Sequence, residues 1–164
     1  MLLLSLLSRL CRSGALIAMC SLLQAANIQQ QLIALHHVRT VEEITRALPV
    51  SGLYGLVVKC SPAVPYEERV GIINEALQHD NAVGMVKLDL SGNDLYEPPV
   101  LNRLLRLQEL DLHENRFLHS PVVLGLAALE EIDLGYNQLV EPPVLTGLTN
   151  LRKLSLEHNQ LTQA

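Results

Sequence analysis

Apolar and polar positions alternate in the second half of the chain in a pattern that restarts every 22 residues. The segments MVKLDLSGNDL (85–95), LQELDLHENRF (107–117), LEEIDLGYNQL (129–139) and LRKLSLEHNQL (151–161) follow one line. Each has an apolar residue, two variable ones, an apolar residue, one variable, an apolar residue, then Asn and a final apolar residue at fixed offsets. The asparagines are Asn93, Asn115, Asn137 and Asn159, each 22 residues after the last. A fixed period in this range marks a solenoid of stacked units. In the stretch LDL at 88–90, side chains alternate across a predicted short strand, so Leu88 and Leu90 point one way and Asp89 the other. One such strand cannot bury its leucines, whereas stacked turns cover one another. The Asn side chain carries donors and an acceptor and can satisfy backbone groups that the following turn leaves unpaired, which predicts a ladder of four. On this reading Asn159 contributes less than Asn137, because no turn follows it.

These four units resemble the leucine-rich repeat, L-x-x-L-x-L-x-x-N-x-L, in its short 22-residue form. Departures are mild: Met85 stands in the first slot, Ile132 in a Leu slot and Phe117 in the last. The resemblance covers about Met85 to the C-terminus. It implies an α/β architecture, a curved solenoid whose parallel strands line the concave side, and a role in binding a protein or peptide there.

The first half of the chain fits the same scheme with longer units. Residues 67–95 read as helix, short connection and strand, with Val70, Ile73, Ala76 and Leu77 at helical spacing. Pro65 stands just ahead of that helix, and Glu67 and Glu68 suit its positive end. Residues 41–60 repeat the arrangement, with Val41, Ile44 and Leu48 on one helical face before a strand at about 54–59. Residues 32–35, LIAL, could be a strand before that. This stretch resembles the helix-bearing leucine-rich repeat of the ribonuclease-inhibitor type. No Asn follows either upstream strand, so Cys60 or Ser61 would have to serve. The expected organisation is residues 1–30 as an amphipathic helix, 31–84 as degenerate helix-bearing repeats, and 85–164 as four short repeats. The short units have no room for an outer helix. Their outer segments, EPPV at 97–100 and 141–144 and HSPV at 119–122, carry prolines with fixed φ and are expected to run extended, with curvature changing near residue 85.

Residues 1–41 contain Arg9, Arg12 and Arg39 and no acid. On a helix, Ser5, Ser8, Arg9, Arg12 and Ser13 share one face and Leu3, Leu6, Leu7, Leu10 and Cys11 the other. A transit peptide, a signal peptide and a helix capping the solenoid all fit this composition. The apolar run 15–23 is far below the ~20 residues of a membrane span. The chain has three cysteines, Cys11, Cys20 and Cys60, with wide spacing and none in the repeats. That suits reduced thiols and a cytoplasmic protein; a cleaved segment at 1–26 would instead make it organellar or secreted. The C-terminal sequence ends without a polar cap, which leads to two further expectations: self-association through the last repeat, or a role as the end-piece of a larger receptor or scaffold.

Charge narrows the partner. The net charge is −5. Residues 1–84 balance six basic side chains with six acidic ones, while residues 85–164 carry six basic and eleven acidic. Nucleic acid is therefore not an expected partner, since phosphate binding needs a basic face. No cofactor, metal or catalytic constellation is expected. There is no glycine-rich phosphate loop, His36 and His37 are neighbours that would point apart on a strand, and the three cysteines lack zinc spacing. His79 and Asp80 fall at a helix end that favours an imidazole. His113 and His158 are two repeats apart.

The non-leucine strand positions, which face outward in the implied solenoid, form columns. They are Lys87, Glu109, Glu131 and Lys153; Asp89, Asp111, Asp133 and Ser155; Ser91, His113, Gly135 and Glu157; and Gly92, Glu114, Tyr136 and His158. The candidate partner-binding residues are Glu109, Asp111, His113, Glu114, Glu131, Asp133, Tyr136 and Glu157, an acidic face suited to a basic segment. The Asp column has an equally plain reading, as solubilising residues that accept bonds from their neighbours.

Overall fold

The computed structural model describes residues 31–162. The amphipathic segment expected at 1–30 lies outside the described residues. In chain order the elements are β1 (Gln31–Val38), α1 (Val41–Thr45), β2 (Tyr54–Cys60), α2 (Tyr66–Leu77), a 3-10 helix (Asp80–Gly84), β3 (Met85–Asp89), β4 (Glu109–Asp111), β5 (Glu131–Asp133) and β6 (Lys153–Ser155). The six strands form one sheet in sequence order. Each pairing from β2 to β6 is parallel. That order is what stacked turns produce, since each unit returns the chain to the edge of the strand before it.

The strands are short because the turn begins at once after the Asp or Ser position. Their inward residues Leu88, Leu110, Ile132 and Leu154 lie in register. The first three are buried, and so are Leu90, Leu112 and Leu134 two positions on. Leu104, Leu126 and Leu148 line the same core from the far side of each turn. There the 22-residue units reverse direction without a full helix. Leu104 donates to the carbonyl of Leu101, Leu126 to Val123 and Leu148 to Leu145, one i-to-i−3 bond per turn at the same offset. The proline segments that precede these bonds are assigned neither helix nor strand.

In the upstream half α1 precedes β2 and α2 precedes β3. In α1 the Glu43 carboxylate reaches back to the N–H groups of Arg39 and Thr40 and satisfies donors that the first turn leaves free. The longer α2 follows Pro65, places Glu67 and Glu68 in its first turn, and buries Ile73, Ala76 and Leu77. Asn74 of α2 accepts the N–H of Val100 at 2.7 Å, and Arg103 bonds both the Gln78 carbonyl and the Asp80 carboxylate. The helix is thereby fastened to the first 22-residue turn. Tyr54, fully buried at the start of β2, donates to the Asn81 carbonyl at 2.9 Å, and burial pushes its hydroxyl up to about 12.

One histidine reading is extended and another changes. His79 stands just past the C-terminal end of α2, as expected, and its Nδ1 also accepts the N–H of Asn81 and caps the 3-10 helix. His37 has φ of 58°, so regular strand alternation fails there, and both His36 and His37 are exposed. Among the described residues no helix is long and apolar enough to cross a membrane.

Candidate partner-binding face

The asparagine ladder fixes where the face's side chains stand. Asn115 Nδ2 donates to the carbonyls of Leu112 and His113 in its own turn and of Leu90 in the preceding turn. Its Oδ1 accepts the N–H groups of Asn93 and Leu95, again from the preceding turn. Asn137 repeats this with Leu134, Gly135, Leu112 and the N–H of Phe117. Asn159 does so with Leu156, Glu157, Leu134 and the N–H of Leu139. The ladder reaches backward. The reason given for a lesser Asn159, the lack of a following turn, therefore does not hold: it makes the same four bonds as Asn137. Asn159 differs only in being half-buried where Asn137 is buried.

Asn93 extends the ladder into the helix-bearing half. It takes the Cys60 N–H at 2.7 Å on Oδ1 and gives Nδ2 to the Val58 carbonyl at 2.8 Å. Ser61 stands in only in part for the missing asparagine: its Oγ accepts the Ala63 N–H of its own turn at 3.3 Å. The downstream asparagine serves that turn, while the buried Ser61 donates its N–H to Val38. Arg69 of α2 supports the same corner by bonding the carbonyls of Val64 and Asn93.

Outward strand positions fall into rows as the spacing implied. Lys87, Glu109, Glu131 and Lys153 pair in register, and so do Asp89, Asp111, Asp133 and Ser155. The charges in the first row are not free. Lys87 bonds Glu109, and Lys153 lies 3.3 Å from Glu131. The two glutamates are thus each answered by a lysine from a flanking turn. Replacing both with lysine would set four amines in one row, so the pair is a poor site for a neutral probe of binding.

The aspartate row carries a local structural role, as the plainer reading held. Oδ1 of Asp89 accepts the N–H of Ser91, Oδ1 of Asp111 that of His113, and Oδ1 of Asp133 that of Gly135. Each carboxylate closes the turn that follows its strand. Asp89 is further paired with Lys59 of β2 at 3.2 Å. Burial alone would raise its pKa, but bonds from Ser91 and the Lys59 amine outweigh that and hold it below the usual carboxylate value. Asp111 and Asp133 stand side by side, and among the described residues no Lys or Arg is paired with either. Asp111 instead holds His113, ring Nδ1 to Oδ1, at 2.6 Å. Burial pulls the His113 pKa down. The bond to Asp111 and the charges of Asp111, Asp133 and Glu114 pull it up by more, and the net shift is upward.

Ser91 and Gly135 were expected to face outward with His113 and Glu157, but both are buried. The Lys59 amine closes over Ser91 through its carbonyl and hydroxyl oxygens. At Gly135 even a methyl group would meet Asp133, Glu157 and Ser155 side-chain atoms at 3.1–3.2 Å. The last column, Gly92, Glu114, Tyr136 and His158, shares a left-handed backbone with φ between 52° and 62°. Only the glycine in it signals that conformation, so sequence reasoning did not find it. Tyr136 and His158 stack with ring centroids 4.2 Å apart, and Tyr136 remains exposed.

In the sequence neither the histidine pairs nor the three cysteines have metal-ligand spacing. The fold brings Asp111, His113 and Asp133 together so that one ligand atom from each lies within 4.8 Å of the others. The bonds that Asp111 and Asp133 accept from His113 and Gly135 account for that clustering. Cys60 is half-buried with a free thiol whose pKa burial raises, more than the nearby Arg69 lowers it. It is not a poised nucleophile.

Residues 105–161 fit the family model described as "Leucine rich repeat", spanning β4 to β6. No curated protein matches the chain.

Proposed function

We propose that this leucine-rich repeat chain, matched to its superfamily over residues 105–161, holds a basic protein or peptide segment on the strand face of its repeats. Leucine-rich repeat domains are in general protein-protein interaction modules. The observation that favours this face is the uncompensated pair Asp111 and Asp133. The other strand-row carboxylates Asp89, Glu109 and Glu131 each meet a lysine, while among the described residues these two lie side by side with no Lys or Arg in ion-pair contact, and Asp111 holds His113. Glu114, Glu157 and exposed Tyr136 flank them. A hollow of about 180 Å³ opens over the same strands. Like charges left adjacent oppose one another, and a cationic side chain seated there relieves that opposition and is drawn in by the field. In this reading residues 31–84 are degenerate helix-bearing repeats that support four short repeats at 85–164, and sparse cysteine suits a cytoplasmic protein.

The test uses neutral isosteres. Asp111→Asn with Asp133→Asn keeps an Oδ1 to accept the His113 and Gly135 N–H groups and removes two charges. Association of a synthetic Lys/Arg-rich peptide with the full chain should slow by about tenfold at low salt, with little difference at high salt. If the doubly substituted chain captures the peptide at the parental rate at low salt, the strand face is not the site.

A further inference from the structure

The side of the repeats bearing the proline segments carries an apolar surface that nothing in the fold requires. Residues 97–101, 119–123 and 141–145 occupy the same offset in three successive turns. Their last residues, Leu101 and Val123, are buried and Leu145 packs against the core. The residue before each points away. Val100 is 45% exposed, Val122 77% and Val144 73%. An outward slot accepts any polar side chain, yet it holds valine three times. Leu124, one step further on, is 68% exposed where the neighbouring turns have Asn102 and Thr146. Apolar exposure therefore peaks at the middle turn.

Shape agrees with composition. One hollow of about 410 Å³ lies between the first and second of these segments, and another of about 350 Å³ between the second and third. Both are lined by His119, Ser120, Val122 and Leu124, so they form one groove that meets at Val122. Ser120 Oγ is buried without a hydrogen-bond partner among the described residues. Among the described residues no Lys or Arg lines either hollow, and the charged residues there are Glu97 in the first turn and Glu141 in the third. A contiguous apolar patch edged by polar groups is what a docking surface presents to a partner.

We infer that this groove is a second docking site, taking a peptide segment of a protein partner with an apolar centre and Lys or Arg on both sides. The apolar centre covers Val100, Val122, Leu124 and Val144. The flanking cations meet Glu97 and Glu141. This surface is separate from the strand face, so one chain can hold two partners or two segments of one.

The experiment measures binding of a dye-labelled synthetic peptide, a Val/Leu core flanked by lysines, to the full chain by fluorescence anisotropy. Two control peptides carry glutamate for lysine, or serine for the apolar core. The lysine-flanked apolar peptide should bind, and both controls should bind at least about tenfold more weakly. Val122→Asp should weaken binding by about tenfold or more, and Val122→Ser with Val144→Ser should do the same if the aspartate variant fails to fold. Glu97→Lys with Glu141→Lys should invert the preference between the two charged peptides. In the Asp111→Asn, Asp133→Asn background, where cation capture on the strand face is weakened, Val122→Asp should still lower binding by about tenfold, which separates the groove from the strand face. The inference is overturned if the lysine-flanked peptide does not bind. It is also overturned if Val122 variants bind it as the parent does, or if the strand-face variant is the one that loses it. Sedimentation covers the other occupant: a parent dimer that Val122→Asp converts to monomer would assign the groove to a second copy of this chain and refute the peptide reading.

Discussion

Asn137 and Asn159 make the same four hydrogen bonds and differ only in their access to water. Bond number therefore predicts equal cost on substitution, and burial predicts unequal cost. Burial decides, because a backbone group left unpaired in the interior has no water to turn to. Asn137→Ala should lose about 1–3 kcal/mol, and Asn159→Ala clearly less. Equal losses in urea denaturation would show that water does not reach the last turn. The asparagines were legible in the sequence because they recur and because an amide can both give and accept. The direction of their bonds was not legible, since the spacing of 22 is the same forward and backward. The left-handed column was hidden for a related reason: Glu114, Tyr136 and His158 carry no mark of the φ that Gly92 adopts freely.

At the level of elements, each strand row behaves as a small electrostatic system. In the row after β4 the imidazole of His113 stands against Asp111, with Asp133 and Glu114 adding their charge. Its folded pKa lies above that of the free side chain, so its charged form is favoured by folding. The stabilisation is full below the unfolded value near 6.5 and is lost as pH rises through the folded value. The difference in melting temperature between the parent and His113→Gln should therefore shrink as pH goes from about 5.5 to about 8.5. A constant difference would mean that the ring's contribution is packing alone. Asp89 works in the opposite sense, its share being present above the ordinary carboxylate pKa and lost only on strong acidification. Strand placement, both helices and the rows themselves could be read from apolar spacing. The ion pairs could not. Lys59 meets Asp89 across 30 positions of sequence, and Lys87 and Lys153 meet the glutamates only because neighbouring turns are in register.

For residues 32–164, which form one compact unit, the question is whether the helix-bearing turns and the short repeats unfold together. Asn93 joins them through Cys60 and Val58, and Arg69, Asn74 and Arg103 add bonds across the same boundary. In a stacked array stability is a sum of units and interfaces, so one weakened interface can separate two cooperative blocks. Asn93→Ala should raise hydrogen exchange in β2 and β3 well above that in β5. Uniform acceleration along the sheet would show that the other bonds suffice to keep a single cooperative block.

The backward reach of the ladder also matters while the chain is being made. A ribosome releases the amino end first, so every turn emerges before the asparagine that completes it. The carbonyl of Leu90 waits for Asn115, that of Leu112 for Asn137, and that of Leu134 for Asn159. Folding during synthesis must then trail the exit tunnel by one full unit of 22 residues. An arrested nascent chain cut just before an asparagine would leave its latest turn open, and only the arrival of the next coil would close it.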